Sequence, residues 1–214
     1  MTKSWIKMFF AKVRGIDEKI TQMLADMPKA KPLTWKDTNI RDHLTEDQWK
    51  SLSKELAEHL DQRNDRAVAV SYQAMVEDRL RWLIEQKFIQ ELSNKEKKKL
   101  FEGGGPLSAN SSKIEIAYAL GLIPMHFRKE LELIGRIRNK FAHRFLPIRF
   151  ADPEIMQLCD LLRAFDEGEP PPSMSNDPMI RYAAHCFLAM MALFAIGQVH
   201  IRAAEMAASP EQSE

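Results

Sequence analysis

Apolar residues recur along most of this chain at spacings of three and four, the period of one buried helical face. Residues 4–27 carry them at Ile6, Phe9, Phe10, Val13, Ile20 and Leu24. Residues 28–35 break the pattern, because Pro28 and Pro32 stand too close together for a helix to continue. Thr45-Glu46-Asp47-Gln48 has the capping-box spacing and predicts a helix to about residue 62. The period resumes from Asp65 through Tyr72, Met75, Val76, Leu80, Leu83, Ile84 and Phe88, a long amphipathic helix. The run NKEKKK at 94–99 reads as a solvated helix face or a turn. A loop follows at 103–112, GGGPLSANSS, whose glycines permit positive φ and whose serines can cap the next element. It lacks the Gly-Lys-Ser/Thr and the preceding strand of a phosphate-cradling loop. A short helix is predicted over 113–120 with Gly121 as its stop. Pro124 opens another, with Phe127, Leu131, Ile134, Ile137 and Phe141 on one face, ending before Pro147. Residues 153–165 form a further short helix, EPPPS at 169–173 a linker, and Asp177-Pro178 the start of a last helix to about Met206. No run alternates apolar and polar residues as a half-buried strand does. The predicted fold class is all-α.

With 45% hydrophobic and 29% charged residues the chain is neither disordered nor fibrous. Its 214 residues suit one main domain with an addition: a helical extension over 1–64, the domain over 65–206 and a disordered tail over 207–214. The formal charge of +1 excludes binding to nucleic acid by bulk basicity, so any such contact needs a local patch. Cys159 and Cys186 belong to no CxxC or Cys/His set and read as buried reduced thiols, consistent with a cytoplasmic protein. The opening residues have no apolar core of signal-peptide length. In the most membrane-like stretch, 183–201, the unbroken apolar part covers only 186–196, which predicts a buried core helix and no membrane span. The six histidines are scattered, so no metal or other cofactor is expected. Trp35, Trp49 and Trp82 read as core or edge aromatics, and Met190 and Met191 with Phe187 and Phe194 as core packing or a subunit seam.

The segment 134–150, IGRIRNKFAHRFLPIRF, contains Arg136, Arg138, Lys140, Arg144 and Arg149 and no acidic residue. It is either a positive patch for an anionic partner or a cationic helix end facing its own dipole. Charge alone does not separate the two. At about 100° per residue, Arg138 falls about 40° from Ile134 and about 60° from Phe141, inside the apolar stripe. An unpaired buried charge costs several kcal/mol, so Arg138 must find a partner in the core, in a cavity or at a subunit interface. Asn139 and His143 are four apart, so the amide can orient the imidazole. Arg138 and His143 converge only if the helix ends near His143 or a second subunit completes the site. Glu77, Asp78 and Arg79 either pair with the basic patch or are ordinary surface charges.

Arg138-Asn139-Lys140-Phe141-Ala142-His143 resembles the RNxxxH form of the Rx4–6H motif of the HEPN superfamily, small all-α domains that include RNA-cleaving toxins and defence proteins. Over about 65–165 the chain is similar to the mannitol operon repressor branch, with EGGGPLSANSSKIEIAYALGLIP matching that branch's GPL…K/R…YxLGxI pattern. The resemblance implies a HEPN-type helical bundle and a homodimer whose motif segments meet; the helical segment before about Asp65 has no counterpart in it. It further implies a metal-independent endoribonuclease in which a ribose 2′-OH attacks the adjacent phosphate. His143 would act as general base or acid, Arg138 would stabilise phosphoryl charge and Asn139 would hold the imidazole. Arg136, Lys140, Arg144 and Arg149 would position the RNA backbone. Such an enzyme would be a toxin or defence effector with an antitoxin as its partner. The alternative is a non-catalytic regulator acting through a protein partner, since no helix-turn-helix with a basic recognition helix is present.

Overall fold

A computed structural model describes residues 46–88, 91–163 and 177–208. The helix expected over 4–27, the break after it, Trp35, Thr45, the 169–173 linker and most of the 207–214 tail lie outside the described residues. Seven helices and no strand are present among those described: α1 Glu46–Asp61, α2 Asp65–Glu85, α3 Asn94–Phe101, α4 Asn110–Ala119, α5 Met125–His143, α6 Pro153–Asp160 and α7 Pro178–Ala208. The all-α prediction holds.

The centre of the bundle is α2, which packs most extensively on α7 and also on α5, α4 and α1. Asn64 starts it by accepting from the Ala67 amide at 3.1 Å, and the turn before it turns tightly at Arg63, φ 53°. Its buried face is broad, more than half of its circumference (Val68, Tyr72, Met75, Val76, Leu80, Trp82, Leu83 and Ile84 are buried), as a helix packed on several neighbours requires, and Arg66, Val70, Ala74 and Asp78 line the exposed side. Tyr182 of α7 donates to the Ala69 carbonyl at 2.9 Å, and Phe141, Phe150 and Tyr182 stack in series at 4.6 and 5.3 Å. Farther along, Gly197 lets α7 close on Trp82: a Cβ there would stand 2.1 Å from the indole. Trp82 itself stacks on Phe194, a core role as expected.

The stretch Pro178–Ile201 is long and apolar enough to cross a membrane, yet 72% of its most apolar window is buried inside the protein. It is the core helix the sequence predicts. Cys159 and Cys186 are both free and fully buried. The NKEKKK run is helical, fixed by a capping box in which Ser93 accepts from the Glu96 amide and Glu96 accepts from the Ser93 amide. Two boundaries differ: α4 starts at Asn110, inside the stretch expected as loop, and α6 stops at Asp160, short of residue 165. The buried Glu130 carboxylate accepts the Arg163 amide at 3.1 Å and so draws the chain out of helical register.

Candidate functional site

The glycine loop sets the position of α4 against α5. Gly103 and Gly104 adopt φ +59° and +84°, and Gly105 lies so close to the end of α3 that a Cβ would meet the Lys99 carbonyl at 2.2 Å. Only Gly135 on α5 leaves room for the Asn110 amide, 2.9 Å from where a Cβ would stand. Between the two elements runs an open groove of about 650 Å³. One wall carries Ser108, Asn110, Ser111 and Glu115. The other is a stripe of α5 at helical spacing: Glu132, Arg136, Asn139, Lys140, His143 and Arg144.

Its floor is a polar network that ties three helices together. Glu77 of α2 accepts from Lys113 of α4 at 2.7 Å and from Gln73 at 3.1 Å, and faces Arg138 of α5 at 3.5 Å. Lys113, almost fully buried, also donates to the Ser108 carbonyl. Burial alone would raise the Glu77 carboxyl; the Lys113 and Gln73 hydrogen bonds and the charges of Lys113 and Arg138 outweigh it and hold the group below the usual carboxylate range. Arg138 therefore finds its partners within the fold, donating to Gln73 at 3.1 Å and to Asn139 at 2.9 Å.

These contacts revise several expectations. Asn139 lends its side-chain oxygen to Arg138 and does not orient the exposed His143 ring. Helix α5 does end at His143, with Arg144 extended, and Arg138 and His143 line the same groove. Lys140 and Arg144 both pair with Glu154 on α6, Arg144 at 2.7 Å. The Lys140 hydrogen bond and the adjacent Arg144 charge hold the Glu154 carboxyl low despite the opposing desolvation. The basic segment is acid-free along the chain but not in space, because Pro153 starts a helix that brings Glu154 back against it.

Arg149 leaves the group altogether. It lines a second groove of about 850 Å³ with Arg63, Arg66, Phe145 and Ile148. Of the acidic-basic trio in α2, Glu77 alone belongs to the site. Asp78 is exposed and lines neither groove. Arg79, two positions from Glu77 and so on the opposite side of α2, is buried over Trp82 and Phe194 at 5.2 and 5.1 Å. Among the described residues the Arg136 guanidinium and the His143 ring line the groove with no carboxylate partner. Sequence reasoning missed Gln73, Glu132 and Glu154 as site residues; the four-residue step from Gln73 to Glu77 was the available signal.

Beyond α5 the chain presents Phe145 and Leu146, 97% and 72% exposed. The segment is pinned on both sides: Arg66 donates to the Arg144 carbonyl at 2.7 Å, and the Phe150 amide to Asp65 at 2.6 Å. Among the described residues no group of three or more His, Cys, Asp or Glu side chains is placed to hold a metal ion.

The MtlR mannitol repressor family matches the chain over residues 52–195, from α1 into α7. No curated protein matches it in sequence. Among solved structures, the fold is similar to that in the X-ray structure of the MtlR–HPr complex from Escherichia coli, at 20% identity and a TM-score of 0.49, covering 69% of this chain and 98% of that one.

Proposed function

This chain belongs to the mannitol repressor family, and on that premise we propose that it is a cytoplasmic regulator of transcription acting through a protein partner. The family match over most of the bundle carries the reading. Two features of the surface support it. Lys140 and Arg144, two of the cations expected to hold a nucleic-acid backbone, pair with Glu154. Phe145 and Leu146 stand in water on a segment fixed to α2, as large apolar side chains do at a surface built for another protein. The test pairs a transcriptional reporter with a direct binding assay, taking HPr as the first probe. Phe145→Asp with Leu146→Asp should relieve repression and weaken partner binding at least about tenfold, a loss of about 1.4 kcal/mol. Unchanged repression in a folded double variant refutes the reading.

A second reading keeps the RNA chemistry, on one observation: Arg138, Asn139, Lys140, His143 and Arg144 all line a single groove. In it the chain works as a homodimer whose paired grooves hold RNA, with His143 moving the proton of the 2′-OH and Arg138 facing the phosphoryl oxygens. Cleavage of labelled RNA in EDTA by wild type, and none by His143→Ala, supports it. A folded His143→Ala that still represses, beside a wild type that leaves RNA intact, removes it.

A further inference from the structure

We propose that the groove between α4 and α5 binds a small polyhydroxylated phosphomonoester, a sugar or sugar-alcohol phosphate. The inference does not rest on the protein-partner reading. At about 650 Å³ the groove has the size of a small-molecule site. Most of its lining residues end in a polar or charged group, set among the carbons of their own stems and of Ile114, Ala109 and Gly135, and these groups narrow what it can hold.

Charge sets the first limit. Four carboxylates lie in or beside the groove, and each is engaged: Glu77 by Lys113 and Arg138, Glu115 and Glu132 by Arg128, Glu154 by Lys140 and Arg144. What remains is the Arg136 guanidinium, with the His143 ring N–H as a further donor on the same stripe. One free guanidinium beside one donor suits a single phosphate group. It does not match a run of phosphates, each of which needs its own cation and would meet the carboxylates between them. A guanidinium fork on an exposed helical face is well shaped to hold phosphate oxygens in two directions.

Hydrogen-bonding capacity sets the second. Facing Arg136 across the groove are the Ser108 and Ser111 hydroxyls, the Asn110 amide and a Glu115 carboxylate, with the Asn139 amide and the Glu132 carboxylate beside it on α5. Hydroxyls, amides and carboxylates together both donate to and accept from alcohols, so the wall suits a ligand rich in hydroxyl groups.

Isothermal titration of the full chain tests this, with mannitol 1-phosphate as the probe and mannitol, inorganic phosphate and a short single-stranded RNA as comparison ligands. Saturable binding of the phosphorylated polyol is expected, at least tenfold tighter than either mannitol or phosphate. Arg136→Ala should weaken it tenfold or more, because Arg136 is exposed and can be removed without disturbing the fold. Asn110→Ala should weaken the polyol phosphate but leave phosphate binding unchanged. Lys98→Ala, on the far solvated helix α3, should bind as wild type does. The proposal is overturned by any of three results with folded protein: no saturable binding of mannitol 1-phosphate, equal binding in Arg136→Ala, or phosphate binding as tightly as the polyol ester. Tighter binding of the RNA than of mannitol 1-phosphate overturns it in favour of a polyanion groove.

Discussion

Replacing Glu77 by Gln should unfold this protein at a markedly lower urea concentration, because the substitution strands a lysine. The Lys113 side chain is only 5% exposed and Glu77 only 25%. Removing one partner of a buried pair costs about 3–5 kcal/mol, mostly from the charge left behind. Glu77 retains some water, so the lower end applies, about 3 kcal/mol. Lys113→Met should cost less, because Glu77 keeps Gln73 and Arg138, and the double variant less than the sum, since the lysine charge is then not left alone. A coupling of at least about 1 kcal/mol is expected for groups in direct contact. Urea titration followed by helical circular dichroism supplies all four values. Additive losses, or a Glu77→Gln cost below about 0.5 kcal/mol, the level of a surface change, refute the argument. The pH dependence checks it independently. The Glu77 carboxyl is held below its ordinary value of 4.5, so its contribution is complete above that pH and is lost as pH falls through the lowered folded value. The stability gap between wild type and Glu77→Gln should be constant near neutrality and should narrow below pH 4.5.

Three further outcomes follow from the packing. Gly197→Ala places a methyl 2.1 Å from Trp82, whose ring packs against both Phe194 and Arg79. Overpacking of about 1–3 kcal/mol should outweigh the helix-propensity gain of about 1 kcal/mol, and calorimetry should show a lower Tm; a raised Tm would show that the ring swings away. Asp177 accepts from the Met179 and Ile180 amides and pairs with Arg63. Asp177→Ala should cost about 1–2 kcal/mol through the cap, and Arg63→Ala, whose side chain is mostly exposed, less than about 1 kcal/mol; equal losses would assign the effect to the ion pair. Burial pushes the Cys159 thiol up to about 12 and Cys186 well above its ordinary value. A thiol reagent at pH 8 should therefore label neither until denaturant is added, and fast labelling of the native protein would contradict the packing of α6 on α7.

Most of the helices were legible because their signals are local. Apolar spacing located α2 and α5, Gly121 the end of α4, and Asp177-Pro178 the start of α7. Even the conflict at Arg138 was readable: a charge inside an apolar stripe has to be answered, and Gln73 and Glu77 answer it. What periodicity could not supply was the identity of the answering groups. Gln73 is 65 residues from Arg138 in the chain, and Lys113 is 36 from Glu77. Asn139 shows the same limit at short range. Spacing put it on the His143 face, but the nearer guanidinium takes its oxygen. Arg79 fits neither alternative left open for it, patch partner or surface charge, because two steps from Glu77 carry it to the buried, aromatic side of α2.

Glu154 decides how the basic segment behaves, and its removal distinguishes the readings of the groove. Along the chain the cations from Arg136 to Arg149 look unopposed; in the fold one carboxylate holds both Lys140 and Arg144. Glu154→Gln frees two cations on an exposed helical face without removing a core contact. Each cation that contacts a phosphate of a single strand steepens the salt dependence of log K by about 0.7, so two freed cations add about 1.4 to the slope. Wild type should retain little labelled RNA at physiological salt, and Glu154→Gln should gain binding that is strong only at low salt. Filter binding over a salt series measures both slopes. If the wild-type slope already equals that of the variant, Lys140 and Arg144 leave Glu154 for phosphate unaided, and the groove is an RNA site after all. If only the variant binds, the carboxylate on α6 keeps this surface from acting as a polyanion site, and Arg136 and His143 are left to a smaller anion.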